Sequence, residues 1–283
     1  MEKAIIQKQV QIVHPEKVYP YLPNITDNTL APLFGLTTEE YRSTKALFAS
    51  RAKAAGELLL ADPDFSKTVE RLPFKNDDVI LVLGESNTDD YQSWFEIMKC
   101  IIKASSPANI QMINAAVSGQ TTSMALRNLT THLQVKPTWV ICMLGMNDAL
   151  RIGGEDGKTV VSFEETCQNL DFMRQLAKQI CNPQWIWITP YTVDEKRQDE
   201  NKWFQGMRLK WNNRDLVPIH QYMLTKNDSV IDVKKIFEHE DLRQLLMEDG
   251  VHASILGHRE IVKELFKVLA ERQPTKTKNN DHE

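Results

Sequence analysis

Four short stretches of this chain carry residues able to do chemistry together. The first is Asp78-Val79-Ile80-Leu81-Val82-Leu83-Gly84-Glu85-Ser86-Asn87-Thr88. Its apolar run between Asp78 and Gly84 reads as a strand buried on both faces. Gly84 allows a sharp turn, which leaves Ser86 just past the strand end with Asn87 or Thr88 to cap a following helix. In open parallel sheets ligands bind outside the carboxyl ends of the strands, so a serine there is placed to be a nucleophile. The same residues also fit an ordinary turn and cap.

The second stretch, Ala116-Val117-Ser118-Gly119-Gln120-Thr121-Thr122, puts a glycine where its backbone N–H can meet an anion. The third, Leu144-Gly145-Met146-Asn147-Asp148, offers the uncharged amide of Asn147, which suits a site where negative charge develops. The fourth, Glu248-Asp249-Gly250-Val251-His252-Ala253-Ser254, sets a carboxylate three residues before an imidazole. Asp249 could fix the tautomer of His252 and stabilise its imidazolium, leaving the other ring nitrogen to take a proton from a serine. Each stretch alone also reads as a turn, a cap or a solvent-facing side chain. Their placement gives them weight, because three follow successive core strands and the fourth precedes the closing helix. A nucleophile, anion donors and an acid–base pair are the parts acyl transfer needs.

The elements that must position these groups alternate between β and α patterns from residue 78 onward. Strands are expected at 79–83, Asn109 to Val117, Thr138 to Leu144, Gln184 to Thr189 and Ser229 to Val233. Helices are expected near 89–104, 121–134, 162–181, 195–224, 235–247 and 254–271. That alternation implies a parallel sheet covered by helices on both faces. Before it lies an extension over residues 1–75, with an edge strand expected at 4–13, a loop at 14–36, a helix from about Thr37 to Leu60 and a shorter one over 64–71. The extension suits a cap or an oligomerisation arm and shows no chemistry of its own. The tail at 273–283 is polar and is expected to be disordered.

Composition removes whole classes of function. With 34 Lys and Arg against 38 Asp and Glu the net charge is −4, which gives no pull toward nucleic acid or anionic membrane. Cys100, Cys142, Cys167 and Cys181 have no paired spacing and read as small buried hydrophobes, not as a disulfide framework or a zinc site. The N-terminal stretch has no apolar signal core and no run approaches a membrane span, so a cytoplasmic protein is expected.

With these four blocks in this order, the chain resembles the SGNH hydrolases, also called GDSL-type esterases and lipases. The match runs through Gly84-Glu85-Ser86-Asn87-Thr88, Gly119, Gly145-Met146-Asn147-Asp148 and Asp249 to His252, within a domain of 76–272. The resemblance implies an α/β fold, a three-layer α/β/α sandwich on a flavodoxin-like parallel sheet of about five strands. It implies Ser86 as nucleophile, His252 as base and then acid, and Asp249 as its orienter. It implies an oxyanion hole from the backbone N–H of Ser86 and Gly119 and the side chain of Asn147, with no metal or organic cofactor. The implied substrate is a small-molecule ester, with a thioester, a lysophospholipid, an O-acetylated sugar or a non-catalytic binding role as alternatives, and a homo-oligomer is open. Two positions depart from the pattern. Glu85 stands where Asp is usual and Ala116 where glycine is common.

Other signals lead elsewhere. Gly157-Lys158-Thr159 lacks the glycine five residues earlier that a phosphate loop needs, since Ile152 stands there. Ser86 lacks the G-x-S-x-G setting of the α/β-hydrolase elbow. Trp203, Met207 and Trp211, four apart, read as a core-facing helical stripe, with an apolar lip for an acyl chain as the minority reading. Tyr191, just past the fourth strand, is a candidate pocket residue by position.

Overall fold

The structure, a computed structural model, describes residues 3–19, 22, 24–106 and 108–272. The tail at 273–283, expected to be disordered, lies outside them. The N-terminal extension is helical: α1 (Lys3–Ile12), α2 (Pro15–Val18), α3 (Asp27–Leu30), a 3-10 turn at Ala31–Phe34, α4 (Thr38–Leu60) and α5 (Pro63–Val69). Then follow β1 (Val79–Gly84), α6 (Ser86–Asp89), α7 (Trp94–Ser105), β2 (Gln111–Asn114), α8 (Thr122–His132) and β3 (Trp139–Met143). Two-residue strands β4 (Arg151–Ile152) and β5 (Lys158–Thr159) lead to α9 (Phe163–Ile180) and β6 (Gln184–Ile188). The chain closes with α10 (Glu195–Glu200), α11 (Lys202–Met207), β7 (Leu209–Lys210), α12 (Asn213–Leu224), β8 (Ser229–Ile231), α13 (Val233–His239), α14 (Leu242–Leu245) and α15 (Ile255–Glu271).

The central sheet has the order β2-β1-β3-β6-β8 and every pairing in it is parallel. This is the flavodoxin-like order, in which the chain reverses direction between β1 and β3 and opens a crevice at the carboxyl ends of those two strands. Ile80 to Leu83, Val140 to Met143 and Trp185 to Ile188 are buried throughout, as strands covered on both faces must be. Helices α7, α15, α4 and α5 pack together on one side, and α8, α9 and α12 on the other. The α/β/α sandwich expected from the alternating pattern is the observed fold.

Several expectations need correction. The helix expected near 235–247 is two, α13 and α14, with the Asp241 side chain capping the second. Residues 4–13 form helix α1 and not an edge strand. Ile6 and Val10, four apart, face a small apolar cluster with Leu30, Ala31, Phe34, Tyr41 and Phe48, and this is helical spacing. The loop expected at 14–36 contains α2, α3 and the 3-10 turn. The helix expected over 195–224 is broken into three. Asn201 caps α11 through its side chain, and β7 pairs antiparallel with β4 in a three-stranded sheet β5-β4-β7 that the sequence did not reveal. The Trp203–Met207–Trp211 stripe therefore does not exist as a core face. Trp211 is buried, but Trp203 is 63% exposed and Met207 57%. Gly157-Lys158-Thr159 leads into β5 of that small sheet, with no strand feeding a phosphate loop.

Candidate active site

Ser86 opens α6 directly after β1, on the crevice between β1 and β3. Gly84 is required there by close approach: a Cβ on it would lie 2.4 Å from the Thr88 hydroxyl, inside van der Waals contact. Thr88 is locked in turn by the Trp94 indole N–H, which donates to its hydroxyl at 3.1 Å. Gly119 follows β2, and Asn147 follows β3. Asp148 joins these two loops. Its carboxylate accepts from the Thr122 N–H at 3.0 Å, from the Thr122 hydroxyl and from the Thr166 hydroxyl at 3.1 Å.

The fourth block comes from the other end of the chain. Gly250, with φ +73, lets the turn before His252 pass against α10, where a Cβ would lie 2.5 Å from the Asp194 carbonyl oxygen. Asp249 Oδ1 accepts from the backbone N–H groups of Val251 and His252, both at 2.9 Å. Its Oδ2 lies 2.8 Å from His252 Nδ1. His252 Nε2 lies 3.0 Å from Ser86 Oγ. The structure thus brings Ser86, His252 and Asp249 into one hydrogen-bonded line across 166 residues of sequence. Ser86 is buried, 7% exposed.

The other expected donors, Gly119 and Asn147, sit on the loops after β2 and β3. Asn147 uses one amide hydrogen on the Gln120 carbonyl at 3.2 Å, leaving the second to point elsewhere. Gly119, next to Gln120, is exposed, with φ +80 and open space where a Cβ would stand. Asn87 ties the nucleophile turn to the asparagine loop through a 3.9 Å contact from Nδ2 to Met146 Sδ.

Electrostatics favour a polarised Asp–His pair. Burial pushes the Asp249 carboxyl up, but the charge and hydrogen bond of His252 and the ammonium of Lys8 outweigh it and hold the carboxyl far below the usual range. Burial pulls His252 down, and the Asp249 charge and hydrogen bond more than restore it, so the imidazole titrates above its ordinary value.

Asp89 and the polar side chains of the N-terminal helices were not singled out in the sequence, and Glu85 was noted only as a departure from the pattern. Glu85 is buried and accepts from the Ser86 hydroxyl at 2.8 Å, so that hydroxyl has two acceptors within reach. Burial raises the Glu85 carboxyl despite the donors on it. Asp89 accepts from the Ser118 N–H at 2.9 Å, holding the glycine loop to α6. Tyr191 sits just past β6 as expected, but is 1% exposed and lines no open pocket. Its hydroxyl lies 2.7 Å from Asn87 Oδ1 and 3.0 Å from the Val251 carbonyl oxygen, pinning the nucleophile turn to the histidine loop. From the N-terminal extension, Lys8, Gln11, His14 and Lys17 all reach carboxylates here. Their one sequence signal was a polar residue at every third position from 8 to 17.

A family model described as "GDSL-like Lipase/Acylhydrolase family" matches residues 82–260. This chain belongs to that family of ester-hydrolysing enzymes. A curated relative, the "Uncharacterized lipoprotein YqeF" of Bacillus subtilis (strain 168), is 34% identical over 98 residues, which is 32% of this chain and 40% of that protein. A lipase/acylhydrolase from Enterococcus faecalis is similar in structure at 24% identity and a TM-score of 0.53, over 68% of this chain and 95% of that one. LAE5, an alpha/beta hydrolase enzyme from the metagenome of Lake Arreo, Spain, has 18% identity and a TM-score of 0.53 over 69% and 96%. At these identities the two structures bear on the fold alone. Among the described residues no helix is long and apolar enough to cross a membrane.

Proposed function

We propose that this protein cleaves carboxylic esters of small molecules through an acyl-enzyme made on Ser86. The observation that carries the reading is the line of hydrogen bonds from Asp249 Oδ2 through His252 to Ser86 Oγ, at 2.8 and 3.0 Å. His252 Nε2 takes the hydroxyl proton as Oγ attacks the ester carbonyl carbon. The carbonyl oxygen becomes an oxyanion, met by the Ser86 and Gly119 N–H groups and the free amide hydrogen of Asn147, each donor worth about 3 kcal/mol in the transition state. The C–O bond then breaks, and the imidazolium gives its proton to the leaving alkoxide. Water repeats the cycle: His252 deprotonates it, its oxygen attacks the acyl carbon, and Ser86 Oγ leaves and regains a proton. No step calls on a metal or an organic cofactor.

The test is hydrolysis of p-nitrophenyl acetate by the parent and a Ser86→Ala variant, beside labelling with a fluorophosphonate. Loss of turnover and of labelling in the variant is expected. A variant as fast as its parent would sink the proposal. Short and long acyl esters, a thioester, a lysophospholipid and an O-acetylated sugar in the same assay would then rank substrate classes. The name of the Bacillus subtilis relative, a lipoprotein, points away from the cytoplasmic placement expected from the N-terminal sequence. Fractionation of cells making the full chain decides between them.

A further inference from the structure

The N-terminal helices lie against the site through a row of polar side chains. Lys8 and Gln11 lie on α1, His14 just before α2 and Lys17 within it, three residues apart in turn. Gln11 donates to Asp90 at 2.6 Å, and its carbonyl oxygen accepts from the Tyr91 N–H at 3.2 Å. His14 lies 2.7 Å from Asp89, which Lys17 also contacts, and Lys17 reaches the Ala116 carbonyl oxygen at 3.3 Å. The whole segment is seated by Val10, fully buried in the small apolar cluster with Phe34, Tyr41 and Phe48. Lys8 differs from its three neighbours in what it touches. Its ammonium hydrogen-bonds Asp249 Oδ2, the oxygen that also holds His252 Nδ1.

We propose that Lys8 is a positioning residue of this active site, a cation supplied by the N-terminal extension that shares Asp249 Oδ2 with His252 and so sets how strongly Asp249 acts on the imidazole. The proposal rests on reading Ser86, His252 and Asp249 as the reacting line. A fully buried carboxylate oxygen has room for two donors, and here both places are taken by groups from opposite ends of the chain. Because one donor is a permanent cation, the negative charge felt by His252 is smaller than an unshared Asp249 would give.

The groups bearing on His252 come from five elements. Asp249 stands on its own loop, Glu85 after β1, Asp90 in the turn after α6, Lys8 on α1 and His258 on α15. The three carboxylates favour the imidazolium, burial keeps His258 neutral near neutral pH, and Lys8 opposes the carboxylates. Removing Lys8 therefore stabilises the imidazolium. His252 should then keep its proton to higher pH, and the acidic limb of kcat/KM, which needs the neutral base, should move the same way. Without Lys8 the buried Asp249 carboxylate still keeps the Val251 and His252 N–H groups and His252 Nδ1 as partners, so the variants are expected to fold.

The experiment follows the His252 ring proton by NMR in the full chain, assigned against a His252→Gln sample, in the parent and in Lys8→Met, Lys8→Gln and Lys8→Arg. An upward move of about one pH unit is expected for the Met and Gln variants, with Arg staying near the parent. Hydrolysis of p-nitrophenyl acetate, read across the same pH range, should show its acidic limb displaced equally in Met and Gln and restored in Arg. Midpoints in Met and Gln equal to that of the parent would overturn the proposal. A parent that titrates but turns over no ester would instead refute the ester reading, while the NMR comparison still decides what Lys8 does.

Discussion

Tyr191→Phe isolates one hydroxyl that holds two far-apart segments in register. The ring itself stays, stacked on Phe237 with centroids 4.4 Å apart, so no cavity opens. What disappears is the donor between Asn87 Oδ1 and the Val251 carbonyl oxygen, at 2.7 and 3.0 Å. Asn87 Oδ1 keeps the Ala253 N–H at 2.9 Å, whereas Val251, itself buried, loses the partner that Tyr191 gave its carbonyl. Leaving one buried acceptor unpaired costs about 1–3 kcal/mol. For a chain of this size each kcal/mol moves the thermal midpoint by roughly 2–4 °C. Val251 adjoins His252, so the same loss frees the imidazole to drift from Ser86 Oγ, and a misplacement near 1 Å costs on the order of a hundredfold. We expect kcat on p-nitrophenyl acetate to fall about tenfold to a hundredfold with KM little changed, because Tyr191 touches no substrate. Scanning calorimetry and steady-state kinetics on the two proteins suffice. A variant with the parent's melting point and kcat would show that the histidine loop is held by other contacts, and the reasoning would fail.

Other substitutions give separate checks. Asn147→Ala should lower kcat by about 10²–10³-fold with KM within a small factor, as for loss of one oxyanion donor, while unaltered kcat would remove Asn147 from that role. His258 is buried with neither ring nitrogen bonded, and burial, with His252 nearby, pulls it down to about 3. Between pH 6.5 and about 3 the unfolded chain binds a proton that the folded chain refuses. Its contribution is therefore full above 6.5 and lost as the pH falls, by at most about 5 kcal/mol. Urea melts across that range should show a flatter acid side for His258→Leu, and an equal slope in both proteins would contradict the assignment.

The central strands β1, β3 and β6 were legible because each is a short apolar run, and burial on both faces removes the alternation that would confuse them with surface strands. Of the residues proposed to react, Ser86 follows such a strand, while Asp249 and His252 precede the closing helix, and their types and order narrow the chemistry. What failed was context. Helix α1 hides among Lys and Gln, since only Ile6 and Val10 mark its inner face. The strands of the small sheet are two residues long, too short to show any period, and β7 split a helix that composition alone would continue. Tyr191 was placed by position, but whether a phenol lines a pocket or ties two loops depends on what folds beside it. Lys8 had no visible purpose because its partner lies 241 residues away.

That separation has a consequence for when the molecule becomes active in a cell. A ribosome adding about 5–20 residues per second releases the serine many seconds before it has made the imidazole proposed to deprotonate it. Throughout that interval the nascent polypeptide holds a harmless hydroxyl. If Ser86 and His252 react as proposed, hydrolytic power comes only after the histidine loop and the α15 helix behind it, which packs on α4, α5 and α7, have left the ribosome.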